Sequence, residues 1–134
     1  MEPRTLFERI DRDVPGYDLD AWKEEERQRR IARHEAFHRI ANERAWQATE
    51  GLQTEDVRVF CECGHVKCTR MLLLPRAEVA RIHERGDVFI ITHGHELPDL
   101  ERVIESTLDY VVVEKVGLGQ LVALEAIGDR PIYD

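Results

Sequence analysis

The amino-acid sequence predicts an α+β fold in which a long N-terminal helix precedes a small mixed sheet with the element order ββαβαβ. Charged residues with helical spacing dominate residues 18–50, and several short apolar runs bounded by glycine or proline follow residue 56. The chain has 134 residues, 43% hydrophobic and 34% charged, which suits one globular domain with additional surface helix. We therefore divide it into an N-terminal helical extension, residues 1–50, and an α+β domain, residues 51–134.

Two helices are predicted in the extension. Thr5 and Glu8 have the spacing of a capping box, which indicates a short first helix. A long helix then begins near Asp18 or Asp20 and runs to about Glu50, because a glycine follows it.

The two halves of the long helix differ. The first half, Lys23–Arg30, is polar on all sides and carries glutamate–arginine pairs at i,i+4 spacing, so we expect it to lie in solvent. The second half has apolar residues near one face, with Trp46 alongside, and we expect that face to pack on the rest of the chain. These residues are Phe37, Ile40, Ala41, Ala45, Ala48 and Leu52.

The remaining elements are read from apolar runs and from the glycines and prolines between them. Strands are predicted at residues 57–62, 69–74, 87–92 and 109–115. Helices are predicted between Pro75 and Gly86 and from about Pro98 to Thr107. Residues 121–127 are apolar enough for either a strand or a short helix, and their pattern does not decide between the two.

Three cysteines lie close together, and histidines follow them after the next apolar run. Residues two apart on an extended strand point to the same face, so Cys61 and Cys63 project together. Gly64 permits a turn that brings Cys68 back to them. Three thiolates and one imidazole fill the four tetrahedral positions that zinc prefers. We therefore predict a structural zinc site formed by Cys61, Cys63, Cys68 and His95.

The choice of histidine stays open at this point. His93 also follows the apolar run, so either it or the preferred His95 can reach the metal. His65 lies within the cysteine loop, but a ligand there would crowd three residues around one ion. The alternative for the cysteines themselves is burial as small apolar residues. Clustered thiols with a downstream histidine fit a zinc site better.

Composition bears on compartment and partners. The net charge is −8, from 19 basic and 27 acidic residues, which does not favour a nucleic-acid partner. No apolar stretch approaches the length of a membrane span, and Met1–Arg4 is unlike the start of a secretory signal. Three cysteines confined to one short segment suit a reducing compartment better than a disulfide framework. We expect a cytoplasmic protein with no membrane partner.

A second pattern points to different chemistry. His34, Glu35 and His38 match the His-Glu-x-x-His motif of zinc peptidases, in which two histidines bind zinc and the glutamate activates water. The surrounding helix is highly charged, however, and no third ligand follows at a short distance. The alternative is a surface helix in which Phe37 packs inward and both histidines meet solvent.

Four segments carry a pattern that extends beyond the cysteines. They are Phe60–Gly64 with Cys68, Glu78–Ile82, Gly94–Glu96 and Tyr110–Lys115. Together with Asn42-Glu43-Arg44 in a charged N-terminal helix, they resemble a family of small uncharacterised actinobacterial proteins. The likeness covers residues 34 to 116. It implies that the three cysteines and His95 are the matching metal ligands, and it implies no activity.

The chain departs from the family pattern in two places. His93 stands where the family usually has proline, which adds a spare imidazole near the site. His34 and His38 stand where asparagine and arginine are more usual, which makes the peptidase motif look accidental.

These observations predict a zinc-bound interaction or regulatory module that is not an enzyme. Zinc would clamp the hairpin at residues 57–74 to the loop after residue 92. The helix around residues 20–50 would offer a surface to a partner protein or to a second copy of the chain. Two alternatives remain: a zinc-dependent hydrolase using the peptidase-like motif, and a redox sensor that releases zinc when Cys63 or Cys68 is oxidised.

Overall fold

A computed structural model describes residues 18–49 and 55–127 of the chain. Its helices and strands, in chain order, are α1 (Leu19–Ala48), β1 (Asp56–Phe60), β2 (Met71–Pro75), α2 (Arg76–Ile82), β3 (Val88–Ile91), β4 (Glu101–Ser106), β5 (Val111–Lys115) and α3 (Gly117–Ile127). The α+β class and the long N-terminal helix are confirmed. The predicted capping box lies outside the described residues, and α1 ends at Ala48, close to the predicted end at about Glu50. The division of the chain after residue 50 stays a prediction.

The strands form two antiparallel sheets, so the single mixed sheet expected from the sequence is wrong. β1 pairs with β2, and the second sheet has the order β3-β5-β4. The two sheets are joined where the backbone N–H of Glu62 donates to the carbonyl of Ile90 over 2.9 Å. This hydrogen bond places the end of the hairpin's first strand beside β3.

The helix predicted from Pro98 to Thr107 is also wrong, because Glu101–Ser106 form β4. This segment pairs with β5 along its length, and Arg102 donates to the carboxylate of Glu114 across the pair, at 2.6 and 3.0 Å. Cross-strand pairing with a buried neighbour thus outweighs a local sequence that suits a helix.

The second sheet is covered on both faces. Val88 and Ile90 of β3 belong to a core cluster with Trp46, the hairpin and α2. Phe89 and Ile91 point the other way, into a second cluster that includes Cys61, Cys63, Ala36 and Ala123. Burial on both sides explains why β3 and β5 read as continuous apolar runs rather than alternating ones. Cys61 and Cys63 therefore lie in the packed interior between sheet and helices, with the partly exposed Cys68 at its edge.

The segment left undecided by the sequence is a helix, α3, which packs against α1 and β5. Its Gly119 is buried, and a Cβ atom there would lie 2.8 Å from the carbonyl oxygen of Leu100. Glycine at this position therefore allows the helix to approach the backbone closely. No helix in residues 18–49 or 55–127 combines the length and apolar character needed to cross a membrane.

Helix α1 begins as predicted, with the Asp18 carboxylate accepting from the N–H groups of Asp20 and Ala21 over 3.0 and 3.1 Å. The predicted apolar packing face is wrong, because Phe37 on that face is 66% exposed. The residues that α1 buries are Ala32, Glu35, Ala36, Arg39, Asn42, Glu43 and Trp46. Polar side chains dominate this face, so α1 packs largely through ion pairs and hydrogen bonds.

One buried ionic cluster joins α1 to the second sheet. The ammonium of Lys115 on β5 donates to the carboxylates of Glu35 on α1 and Glu101 on β4, and all three side chains are fully buried. The ammonium also lies 4.8 Å from the ring centre of Phe89. Two carboxylates share one cation here, so the cluster carries excess negative charge when both are ionised.

Replacing Glu35 with glutamine should flatten the dependence of stability on pH. Burial raises the pKa of Glu35 from 4.5 to about 9, with the Lys115 charge opposing and the Glu101 charge adding to the rise. The folded state therefore holds a proton that the unfolded chain has lost. The parent's free energy of unfolding should fall as pH rises between these two values, by up to about 1.4 kcal/mol per pH unit.

Urea unfolding across this pH range measures the difference between the parent and Glu35→Gln. Glutamine cannot titrate, so the variant should lack the fall in the free energy of unfolding that Glu35 causes as pH rises. Glu84→Gln, which changes an exposed carboxylate, serves as the matched control and should follow the parent. Equal slopes for the parent and Glu35→Gln would show that Glu35 is ionised in the folded state.

Candidate metal centre

The structure brings together the four residues selected from the sequence. Cys61 and Cys63 directly follow β1, Cys68 precedes β2, and His95 lies in the loop between β3 and β4. One potential ligand atom from each lies within 4.8 Å of all the others. The hairpin loop and the histidine loop therefore converge on one point, and this cluster can hold a metal ion.

The sulfur–nitrogen distances match a tetrahedral ion. The Nδ1 atom of His95 lies 3.6 Å from Cys61 Sγ and 3.7 Å from Cys68 Sγ. Bonds of about 2.3 Å from zinc to sulfur and about 2.0 Å to nitrogen, set at tetrahedral angles, place the two ligand atoms about 3.5 Å apart. These two distances thus fit a tetrahedral metal site.

The other two candidate histidines occupy different positions. The His93 Nε2 atom donates to the carbonyl of Thr107 over 2.5 Å, and the side chain is exposed. His65 is also exposed, with its ring centre 5.1 Å from that of His95. Among the residues that the structure describes, the potential metal-binding group contains neither. The geometry favours His95.

Hydrogen bonds prepare the cysteine sulfurs for metal binding. A hydrogen bond from Cys63 lowers the pKa of Cys61 to about 5 against the effect of burial, and bonds from Thr92 and His95 contribute. The Thr92 backbone N–H donates to Cys61 Sγ over 3.1 Å. The pKa of Cys63 is raised, because its thiol donates to Cys61 and is buried. A metal ion would replace the proton shared between these two sulfurs.

Glu62 lies between the two cysteines and points away from them, as alternation along an extended segment requires. It is fully buried, where its carboxylate accepts from Asn42 Nδ2 at 2.8 Å, the Ile90 N–H at 2.8 Å and His83 Nε2 at 3.0 Å. Burial opposes its ionisation, but the His83 charge and these hydrogen bonds lower its pKa overall. Glu62 therefore holds the Cys-Glu-Cys segment in one orientation.

Asn42 holds the same segment from the helix side. Its Oδ1 accepts from the Phe60 N–H over 2.7 Å, and its Nδ2 donates to the Phe60 carbonyl over 2.9 Å. The amide thus binds β1 as a neighbouring strand would, just before Cys61. Two residues of the Asn-Glu-Arg element are involved in such buried contacts, since Glu43 accepts from Arg39 over 3.1 Å.

Sequence reasoning missed these supporting residues. Two carboxylates beside the histidine loop have other partners, since Asp99 pairs with Arg27 and Glu101 binds the buried Lys115. The available signal was the carboxylate at position 62. A charge between two cysteines that share a face points to the opposite face, and because that face is also buried here, the carboxylate requires partners.

The peptidase-like motif does not assemble a catalytic site. Glu35 is buried on the inner side of α1 and bound by Lys115, whereas His34 and His38 lie half-buried on another side. No third ligand joins these histidines within residues 18–49 and 55–127. The inward packing expected for Phe37 is wrong, since that side chain is exposed.

Comparison with known proteins gave no relative from which a function can be transferred. A scan against protein-family models, a search of curated proteins and a search of solved structures each found no match.

Proposed function

We propose that the chain is a zinc-binding interaction or regulatory module without enzymatic activity, in which the metal has a structural role. The observation that carries the proposal is the pair of sulfur–nitrogen distances at His95, 3.6 and 3.7 Å, within a cluster of three thiols. An imidazole that formed an ordinary hydrogen bond to one sulfur would not need three thiols gathered within 4.8 Å of it.

The ligand set supports zinc over other ions. Soft thiolates disfavour magnesium and calcium, and three sulfurs with one nitrogen in tetrahedral arrangement are typical of structural zinc. Four protein ligands leave no position for a substrate or a reactive water molecule. The likeness to small actinobacterial proteins is consistent with this ligand set, and membership of that family is part of the proposal.

The metal would join loops that belong to two different parts of the fold. Its cysteine ligands lie in the loop that connects the strands of the two-stranded sheet, and His95 lies in a loop of the three-stranded sheet. Zinc would therefore fix the position of one sheet relative to the other. A module of this kind presents a rigid surface to its partner.

We further propose that α1 supplies that surface, to another cytoplasmic protein or to a second copy. Its first half is largely exposed and is lined by ion pairs such as Arg27 with Glu24 and Arg29 with Glu25. Phe37 adds a large exposed aromatic side chain, of the kind enriched at protein interfaces.

The structure favours the static module over its two alternatives. A hydrolase needs a carboxylate facing the metal-bound water, but Glu35 faces Lys115 in the interior. A redox sensor needs accessible thiols, but Cys61 and Cys63 are buried and only Cys68 of the three is partly exposed.

Metal analysis of untagged protein tests the proposal directly. The parent should contain about one zinc ion per chain. Cys63→Ser and His95→Ala should lose this ion, because a three-ligand site binds far more weakly. His93→Gln is the matched control, since it removes a neighbouring imidazole outside the cluster, and it should keep its zinc. A zinc-free parent prepared without oxidation or chelators would contradict the proposal.

A further inference from the structure

We propose that His34 and His38 form a second, exchangeable binding site for a divalent transition metal, separate from the cysteine site. The two residues are one helical turn apart on α1, so their side chains lie one above the other. Their ring centres are 4.4 Å apart, with the planes inclined at 61°. This arrangement brings two imidazoles close enough to bind one ion together.

Each ring has a nitrogen atom that meets no partner in the part of the chain that the structure describes. His34 Nε2 and His38 Nδ1 are shielded from solvent, and neither makes a hydrogen bond to any residue in 18–49 or 55–127. A shielded polar atom without a partner costs free energy in the folded state. Coordination of a metal ion by these nitrogens would remove that cost.

The donor atoms define the class of ion. Imidazole nitrogen suits zinc, nickel and copper, whereas magnesium and calcium prefer oxygen ligands. Two imidazoles on one helix bind as a chelate, because the second nitrogen is already positioned when the first has bound. Burial and the neighbouring His38 charge lower the pKa of His34, which favours its neutral, metal-binding form.

The surroundings indicate weak and reversible binding rather than catalysis. The one carboxylate of the motif, on Glu35, is bound by Lys115 in the interior and cannot reach this face. Arg30 and Arg33 line a cavity of about 350 Å³ beside His34, and their charge opposes a cation. Only two protein donors would hold the ion, so it should exchange readily.

The histidine pair lies beside the loop that carries the cysteines. Gly64 and Val66, which lie between Cys63 and Cys68, line the same cavity as His34. A metal ion held by the histidine pair would therefore lie on the outer side of the loop that carries the thiol ligands.

Calorimetric titration of zinc-loaded, untagged protein with nickel tests the inference. The parent should bind one nickel ion per chain while keeping its zinc. His34→Gln/His38→Gln should lose nickel binding, and His34→Gln alone should weaken it by about tenfold or more. His93→Gln and His65→Gln are matched controls, because each removes an exposed imidazole outside the proposed pair. Both should bind nickel as the parent does.

Two results would overturn the inference: no nickel binding by the zinc-loaded parent, or unchanged binding in the double variant. The zinc content of the same samples shows whether the variants are folded. The two replaced histidines are half-buried and lie outside the cysteine cluster, so a folded variant should keep its zinc. A parent without zinc would contradict the proposed structural site alone. Loss of nickel binding only in Cys63→Ser would assign the second ion to the thiols and refute the histidine pair.

Discussion

Removal of the metal should lower the free energy of unfolding by about 4 kcal/mol or more when zinc exceeds its dissociation constant about a thousandfold. The proposed ion would link the two loops at a point where three thiols and one imidazole lie within 4.8 Å. Without it, these groups retain only weak contacts, and the hairpin is held to the second sheet by the apolar core that they share and by hydrogen bonds around Glu62.

Hydrogen exchange before and after chelation would locate the effect. The N–H groups of Cys68 and His95, bonded to the carbonyls of His65 and Thr92, should exchange faster in the metal-free protein. Central amides such as that of Val112, between two paired strands, should remain protected. Chelator added to Cys63→Ser is the control and should change nothing. Unchanged exchange in both loops of the parent would rule out a structural role for the metal.

Replacing Arg39 with alanine should destabilise the protein by about 3–5 kcal/mol. Arg39 is 1% exposed, and its guanidinium donates to the carbonyls of Arg85, Val88 and His83 at 2.6, 2.6 and 2.8 Å. It also donates to Glu43 over 3.1 Å. Alanine would leave three carbonyls and a buried carboxylate without their partner, each at a cost in free energy.

Urea unfolding would measure the loss of stability, and two further variants test its cause. Arg39→Lys should lose most of the stability as well, because one ammonium cannot reproduce the planar, forked geometry of the guanidinium. Arg44→Ala, an exposed arginine on the same helix, is the matched control and should change stability by no more than about 0.5 kcal/mol. A loss below about 1 kcal/mol for Arg39→Ala would show that water replaces the arginine at these carbonyls.

The candidate metal-binding cluster was predictable because the spacing of its cysteines is a local property. Cys61 and Cys63 share a face by simple alternation along an extended segment, and Cys68 returns after a short loop. The histidine was less determined, since His93 and His95 share a face by the same rule. Its choice depends on how the loop after β3 folds, and the structure directs His93 to Thr107 instead.

The sequence alone determined the α+β class, the start of α1 near Asp18 or Asp20 and the thiol cluster, because each depends on neighbours a few residues apart. Only the tertiary structure decided that β4 is a strand and that α1 turns Glu35 and Arg39 inward instead of Phe37. A buried polar side chain is stable only beside a partner, and the partner of Glu35 is Lys115, 80 residues away. Hydrophobic periodicity along the helix does not indicate such a distant pairing, so the prediction based on it placed the wrong face of α1 against the core.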